Sequence, residues 1–174
     1  MSQRDSGYER KERDLYETPE WVTEALVPHI PRRIKTIWEP AAGSGKMVRA
    51  LADAGYVVDA DDISGGRDFM IYDGPTWVSA IVTNPPYVLA TEFVKRAINL
   101  TATMQGFVAM LLRTDFDHAS TRRDLFELQP FAKKLVLTKR IKWFEDSKGS
   151  PSFNHAWFIW DWKHEGAPTL AYGP

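Results

Sequence analysis

Residues 34–55, IKTIWEPAAGSGKMVRALADAG, predict the class of fold to which this chain belongs. An apolar run at 34–39 is followed by a loop of small residues at 40–45 and by a segment of helical periodicity at 46–54. Gly55 then provides a typical helix C-terminus. A strand, a short loop and a helix in this order form the repeating unit of α/β folds, in which ligands bind where strands end. We therefore predict an α/β fold with a ligand site at residues 40–45.

The loop at 40–45 allows a ligand to approach the backbone, because Gly43 and Gly45 have no Cβ. It is not a Walker phosphate loop, since Met47 occupies the position of the required Ser or Thr. Nor is it the dinucleotide fingerprint, because Val48 occupies the position of the third glycine. Glu39, at the end of the preceding strand, would repel a phosphate and attract an ammonium group. The pattern therefore favours a ligand with a cationic group at this point.

Residues 84–87, NPPY, follow a second apolar run at 77–83 that predicts a buried strand. Asn84 would face the ligand site, because ligands of open α/β sheets bind beyond the carboxyl ends of the strands. Two consecutive prolines fix φ and remove two backbone donors, which leaves a rigid turn with available carbonyls. The side-chain oxygen of Asn84 and the carbonyl of Pro85 can both accept hydrogen bonds from one amino group. The segment therefore predicts a site that polarises an amino nitrogen.

The NPPY segment resembles the acceptor-site motif of S-adenosylmethionine-dependent methyltransferases that act on planar amino nitrogens, chiefly adenine in DNA or RNA and glutamine in proteins. Residues 39–45, EPAAGSG, resemble the donor-binding first motif of the same family. The two motifs occur in this order, about 40 residues apart, and together they are more specific than either alone. The resemblance covers residues 15–163, and in its compact form the chain resembles small phage-type DNA N6-adenine methyltransferases.

The resemblance implies a catalytic segment and a set of residues that bind S-adenosylmethionine. The implied catalytic residues are Asn84, Pro85, Pro86 and Tyr87. The implied donor-binding residues are Thr18, Glu39, Ala41, Gly43, Gly45, Asp62, Ile63, Asp68, Phe69 and Asn84. Asp62 would accept hydrogen bonds from the ribose hydroxyls, and Asp61 is the alternative. An acceptor base would stack on Tyr87 and on Phe153, and a core position for Phe153 is an equally good interpretation.

Composition excludes several other kinds of protein. The 174 residues include no cysteine and four histidines without metal-ligand spacing, so we expect neither a disulfide nor a metal site. The polar N-terminus does not resemble a signal peptide and no apolar run is long enough to span a membrane, which predicts a cytoplasmic protein. Residues 1–90 carry 10 Lys/Arg and 14 Asp/Glu, and residues 91–174 carry 12 and 9. This distribution suits a cationic donor and an anionic acceptor, and an accidental asymmetry of a solvated surface explains it nearly as well.

The order of the apolar segments predicts a Rossmann-like class I methyltransferase fold, with a seven-stranded, mostly parallel sheet, one antiparallel strand and helices on both faces. The last two predicted strands, at 133–144 and 153–162, would form a hairpin. Residues 1–14 predict a flexible arm, since they contain almost no apolar side chains. Residues 15–174 predict a single domain without a separate target-recognition domain. The tail after His164 is expected to contain only turns.

Three helices are predicted outside the first strand–loop–helix unit. Thr18 is the expected N-cap of the first, with Pro19 at its first position. Residues 89–98 carry an apolar stripe at helical spacing. A further helix is expected to start at Ser120. Its inward-facing residues would be Leu125, Phe126 and Leu128.

The resemblance to this family implies transfer of a methyl group from S-adenosylmethionine to the exocyclic amino group of adenine in DNA. The alternative acceptors are adenine in RNA and glutamine in proteins. The chain could also be a non-catalytic methyltransferase-fold subunit. A base in duplex DNA must be flipped out of the helix to reach such a site. The target sequence would be recognised by loops at 114–121 and 145–152 or by a partner chain, or else sequence specificity is slight. The sequence does not distinguish a monomer from a dimer. The basic residues expected to contact phosphates are Arg122, Arg123, Lys133, Lys134, Lys139, Arg140 and Lys142.

Overall fold

A computed structural model describes residues 16–143 and 153–174. The arm predicted at 1–14 and the recognition loop predicted at 145–152 lie outside the described residues. The helices are α1 (Glu20–Leu26), α2 (Lys46–Asp53), α3 (Ala90–Ala102) and α4 (Asp124–Glu127). The strands are β1 (Thr36–Glu39), β2 (Val57–Ala60), β3 (Ala80–Thr83), β4 (Phe107–Arg113), β5 (Phe131–Leu137), β6 (His155–Asp161) and β7 (Thr169–Gly173).

The seven strands form one sheet in the order β2-β1-β3-β4-β6-β5-β7. Strand β6 is antiparallel to both of its neighbours, β4 and β5, and all the other pairings in the sheet are parallel. The prediction of a mostly parallel seven-stranded sheet with one antiparallel strand is therefore confirmed. The predicted hairpin between the strands now labelled β5 and β6 is confirmed as well.

Helices pack on both faces of the sheet, as the sequence predicts. Val22 of α1 and Leu51 of α2 are buried against one face, whereas Phe93 and Ile98 of α3 are buried against the other. The central strands β4 and β6 are buried along almost their whole length. Covering both faces of a sheet removes the usual alternation of apolar and polar residues, which explains the continuous apolar runs of these two strands.

The tail after His164 contains a strand, so the prediction of turns alone is wrong. Thr169–Gly173 forms β7, which pairs in parallel with β5 at one edge of the sheet. Ala171 packs against the core, whereas Leu170 and Tyr172 are 58% and 67% exposed. A five-residue edge strand with so little buried surface carries too weak an apolar pattern to be recognised in the sequence.

The first helix begins one residue later than predicted. Its N-cap is Pro19, without a side-chain cap, and α1 starts at Glu20. Thr18 is therefore not the N-cap, and its side chain is buried in front of the helix. A proline at the N-cap fits the helix start because its missing N–H would have had no intrahelical partner.

The helix predicted from Ser120 is divided in two. A 3₁₀ turn at Ser120–Arg122 precedes α4, which contains only four residues. Leu125 is buried, as expected, but Leu128 is 73% exposed because the helix ends before it. The strand predicted at 133–144 is also shorter, since β5 ends at Leu137.

Three parallel neighbours, β2, β1 and β3, determine where the ligand site lies. Their registers align the ends of the strands, so that Glu39, Ala60 and Thr83 lie at the same edge of the sheet. The loops that follow these residues contain the motifs identified in the sequence. Side chains from three separate segments are thereby placed around one cleft.

Candidate active site

A cavity of about 630 Å³ lies at the carboxyl ends of β1, β2 and β3. Most of the predicted donor-binding residues line this cavity: Thr18, Glu39, Ala41, Gly43, Asp62, Ile63, Asp68, Phe69 and Asn84. Pro86 of the predicted catalytic segment also lines it. The cavity lining does not include Gly45, Pro85, Tyr87 or Phe153.

The glycine loop between β1 and α2 adopts a conformation that requires glycine at two positions. Gly43 has φ of +52° and Gly45, the N-cap of α2, has φ of +81°. A Cβ at Gly43 would meet no heavy atom within 4 Å, so its backbone angle, not crowding, explains the glycine. The Gly43 N–H donates to Asp62 Oδ2 at 3.0 Å, which joins the two loops that form this wall of the cavity.

Glu39 is a buried carboxyl at the base of the cavity, with 1% of its surface exposed. Its Oε1 accepts a hydrogen bond from the Ala41 N–H at 3.0 Å and another from the Thr83 hydroxyl. Burial raises the pKa of Glu39 to about 8, although both hydrogen bonds act in the opposite direction. A cationic group in the cavity would favour the ionised carboxylate and lower this pKa.

The structure distinguishes the two aspartates at the end of β2. Asp62 lines the cavity and accepts hydrogen bonds from the N–H and hydroxyl of Ser64, at 2.9 and 2.6 Å. Asp61 is buried, and its carboxylate is bound by Trp38 Nε1 at 3.0 Å and by Arg67 at 2.7 Å. Asp61 therefore stabilises the fold, whereas Asp62 is placed to contact a ligand. Ile63, 60% exposed, continues the cavity wall beside it.

Asp68 and Phe69 form another part of the wall. Asp68 Oδ1 accepts a hydrogen bond from the Met70 N–H at 2.8 Å. Phe69 is only 2% exposed and packs between Trp38 and Phe93, with ring-centroid distances of 5.2 and 4.6 Å. Phe69 is thus a core residue with one face at the cavity, where it can pack against a flat ligand.

Asn84 lies directly after β3, in the cavity wall. Its Nδ2 donates to the backbone carbonyl of Tyr16 at 3.1 Å, which fixes the orientation of the side-chain amide. Its Oδ1 is buried and accepts no hydrogen bond from the part of the chain that the structure describes. Buried acceptors are normally satisfied, so this oxygen is available to a donor supplied by a ligand.

Tyr87 and Phe153 each contact a polar side chain. The Tyr87 hydroxyl is 2.9 Å from His155 Nε2, and the Tyr87 ring packs on Tyr16 with centroids 5.9 Å apart. Phe153 lies under the guanidinium of Arg113, whose Cζ is 4.0 Å from the centroid of its ring. The stacking of an acceptor base on Tyr87 and Phe153 stays a prediction.

Several residues at the site have no counterpart in the sequence predictions. Tyr16 and Trp143 both line the cavity, with ring centroids 5.3 Å apart. Glu17 forms a 2.8 Å ion pair with Lys46 at the rim, and this contact lowers the pKa of Glu17. Tyr16 and Glu17 immediately precede Thr18 and could have been identified by that position. Trp143 carries no such signal, because it follows β5 by several residues in an irregular segment.

The predicted basic residues do not form one uniform surface. Lys134 and Arg123 are paired with Asp117 and Glu127, each at 2.7 Å. Lys133 Nζ lies 3.1 Å from His29 Nδ1. The remaining contacts are dispersed: Arg122 bonds to Phe116 and Thr91, Lys139 lies over Trp21, and Arg140 bonds to Asn154, whereas Lys142 is exposed.

Residues 16–143 and 153–174 contain neither a metal-binding cluster nor a membrane-spanning helix. No three His, Cys, Asp or Glu side chains in these ranges are close enough together to hold a metal ion. None of the helices described there has the length and apolar character needed to cross a membrane.

The chain was compared with known families, curated proteins and solved structures. No protein-family model matches it, and no curated protein matches its sequence. A Listeria monocytogenes protein assigned as a class I S-adenosylmethionine-dependent methyltransferase is similar in structure, with a TM-score of 0.59 and 12% identity. A Pyrococcus horikoshii protein assigned as an RNA methyltransferase has a TM-score of 0.58 and 13% identity. A Vibrio vulnificus modification subunit, assigned to a type I restriction enzyme, has a TM-score of 0.55 and 12% identity.

These three likenesses show the fold of the chain. They cover 89%, 82% and 90% of it, and the chain in turn spans 64%, 80% and 46% of the three proteins, in the same order. The chain therefore has the Rossmann-like fold of class I methyltransferases, as the sequence predicts. It is considerably shorter than the restriction-enzyme subunit that it resembles.

Proposed function

We propose that this protein transfers a methyl group from S-adenosylmethionine to the exocyclic amino group of adenine in DNA. The observation that carries the proposal is the Asn84 side chain, whose buried Oδ1 has no donor within the described residues while its Nδ2 is held by the Tyr16 carbonyl. An acceptor fixed in this way at the wall of a 630 Å³ cavity suits an incoming amino group.

The residues around the cavity fit S-adenosylmethionine. Its ammonium group would lie near Glu39, whose buried carboxyl has no cation within the described residues. Gly43 allows close approach of the donor to the backbone, and Asp62 can accept hydrogen bonds from its ribose hydroxyls. Asp68 and Phe69 are available to its adenine ring. Bound there, S-adenosylmethionine supplies an electrophilic methyl group on its sulfonium.

Asn84 and the Pro85 carbonyl would orient the acceptor. Hydrogen bonds from both hydrogens of the amino group to these two oxygens would place the lone pair of its nitrogen towards the donor. Positioning alone can provide a large part of the rate enhancement, because the reacting atoms are already in contact when both substrates are bound. No general base is required, since the amino group becomes acidic as it is methylated and can release its proton to water.

A planar base is the kind of acceptor that the surroundings favour. A planar base needs aromatic faces, and Tyr16, whose carbonyl binds Asn84, packs against the rings of Tyr87 and Trp143. Stacking on such rings is worth about 1–3 kcal/mol per base. The structural likeness to a restriction-enzyme modification subunit is consistent with DNA. The likeness to an RNA methyltransferase makes RNA the first alternative, ahead of a protein glutamine.

We further propose that residues 15–174 act as one cytoplasmic methyltransferase domain. Target recognition would then depend on its own loops, including 114–121, or on a partner chain.

Methylation with labelled S-adenosylmethionine tests the proposal. The protein is incubated separately with unmethylated DNA, RNA and a protein extract, and each nucleic acid is digested to nucleosides. We expect labelled N6-methyl-2′-deoxyadenosine from DNA. Label found only in RNA or only in protein would replace DNA by that acceptor, and donor binding without label in any of the three would support a non-catalytic subunit.

Asn84→Ala is the variant that tests the role of the acceptor oxygen. We expect kcat to fall about 100-fold or more, because removal of one preorganised polar group from an active site has effects of this size. Asn99→Ala, an exposed asparagine of α3, is the matched control and should retain wild-type activity. An Asn84→Ala protein with unchanged kcat would contradict the proposed mechanism.

A further inference from the structure

His155 is a buried residue of the acceptor side that the proposed reaction does not use. It is the first residue of β6, lies opposite Arg113 of β4 in the sheet and is 2% exposed. Its Nε2 is 2.9 Å from the Tyr87 hydroxyl. The two rings are joined end to end through this contact, with centroids 6.1 Å apart and planes inclined by 26°.

A second aromatic contact restricts the His155 ring on its other side. Trp143 meets it edge to face, with centroids 5.1 Å apart and planes inclined by 85°. A buried ring held between Trp143 and Tyr87, and attached to a central strand, has little freedom to rotate. The position of Nε2 relative to the Tyr87 hydroxyl is fixed accordingly.

The imidazole is neutral at physiological pH. Burial and, to a lesser extent, the nearby Arg113 guanidinium lower the pKa of His155 to about 4, whereas the Phe153 backbone and Asp115 act in the opposite direction. A neutral imidazole can accept from a tyrosine hydroxyl or donate to it through Nε2, according to its tautomer. A bond between two neutral groups persists throughout the range in which the enzyme would work.

Tyr87 is the residue on which this bond acts. Its backbone directly follows Pro86, and its ring packs on Tyr16, whose carbonyl binds Asn84. A phenylalanine could provide the same stacking face but could not be fixed through a hydroxyl. The sequence uses tyrosine, and the structure places the partner of its hydroxyl on a distant strand.

We propose that His155 is a positioning residue, which fixes the Tyr87 ring through its hydroxyl so that a planar acceptor base can stack beside Asn84. This inference rests on the proposed function, because the base is the acceptor named there. His155 does not contact the reacting atoms and takes no proton. It acts only through the orientation of Tyr87.

Steady-state kinetics of four variants test the inference. The variants are His155→Leu, His155→Gln, Tyr87→Phe and the double variant His155→Leu/Tyr87→Phe. We expect His155→Leu and Tyr87→Phe each to lower kcat/KM for DNA about tenfold, mainly through KM, since loss of one hydrogen bond has about this effect on an equilibrium. The Kd for S-adenosylmethionine should stay the same. The double variant should be no worse than either single variant.

Rescue by a conservative variant separates positioning from packing. His155→Gln places a hydrogen-bonding group near the position of Nε2, so we expect it to recover most of the loss in kcat/KM. His164→Leu is the matched control and should behave as wild type, because His164 lies in the turn after the last residue of β6, at the other end of the strand from His155. Wild-type kinetics in His155→Leu, additive losses in the double variant, or no recovery in His155→Gln would each overturn the inference.

A second measurement does not depend on methylation. The ¹⁵N chemical shift of His155 Nε2 reports the hydrogen bond itself, and we expect it to change in Tyr87→Phe and to remain the same in His164→Leu. A shift indifferent to Tyr87→Phe overturns the positioning role even if the enzyme is active. Lack of methylation by the wild-type protein, with the bond present, instead overturns the proposed function and with it the role of His155.

Discussion

Two polar side chains at the ends of neighbouring strands, Glu39 and Asn84, show how burial prepares a site. Glu39 is satisfied by two donors but has a raised pKa, because its charge is unfavourable in a buried position. Asn84 has one satisfied end and one unsatisfied end. Each has an unmet interaction that a ligand can supply, an ammonium for the first and an amino group for the second. The free energy of binding includes relief of both.

The raised pKa of Glu39 predicts a dependence of stability on pH. Between its ordinary value of 4.5 and about 8, the folded state holds a proton that the unfolded chain has lost. Stability therefore falls as pH rises through this range, by at most about 1.4 kcal/mol per pH unit. Glu39→Gln should remove this decline. Urea unfolding of the ligand-free protein at pH 5, 6, 7 and 8 measures it.

The exposed Glu24 of α1 provides the control for that measurement, since Glu24→Gln changes the same functional group in water. Its pH dependence should follow that of the wild type. If Glu39→Gln and the wild type show the same slope, Glu39 is ionised in the folded protein throughout this range, and its burial does not have the effect inferred here.

At this scale the sequence was sufficient where a motif identified the residue. It favoured Asp62 over Asp61, and the structure places Asp62 at the cavity and Asp61 on Trp38 and Arg67. It could not identify Trp143, because that contact depends on where the chain goes after β5. The role of Asn84 as acceptor stays a prediction until it is tested.

Among the elements, the turn between β1 and α2 has a strict conformational requirement. Gly45 starts α2 at a φ of +81°, a region that disfavours any residue with a Cβ. Space is not the constraint, since a Cβ there would meet only the Arg49 side chain at 3.6 Å. The loop is therefore held in shape by the backbone of this residue.

Gly45→Ala should destabilise the protein by about 1–2 kcal/mol, which is the cost of the left-handed conformation for a residue with a Cβ. It should also weaken S-adenosylmethionine binding, because the loop that walls the cavity is displaced. Chemical denaturation and calorimetry measure the two effects. Gly65→Ala is the matched control: Gly65 has no positive φ and open space around it, so both quantities should hardly change.

Burial explains the different outcomes for β3, β7 and α4. The four residues of β3 are all buried, and the apolar run at 77–83 predicts this strand. Strand β7 has no buried residue and was missed. Helix α4 has four residues and ends before Leu128, whose apolar side chain had indicated a longer helix.

At the scale of the whole molecule, β7 closes one edge of the sheet, and its contribution to stability can be measured. Ala171→Asp places a charge against the core and should cost about 2 kcal/mol or more in unfolding free energy. Leu170→Asp, at a neighbouring position that is 58% exposed, should cost less than about half of that. Equal effects on the urea midpoint would show that β7 does not pack on the sheet in solution.

Residues 16–18 belong to both halves of the site, since Thr18 lines the donor cavity and the Tyr16 carbonyl restrains Asn84. When one substrate binds and orders this short segment, the other substrate no longer has to supply the free energy of ordering it. Thermodynamic reciprocity then makes the two affinities rise by a common factor. The donor and the nucleic acid should accordingly bind with positive cooperativity, each more tightly to the protein that already carries its counterpart.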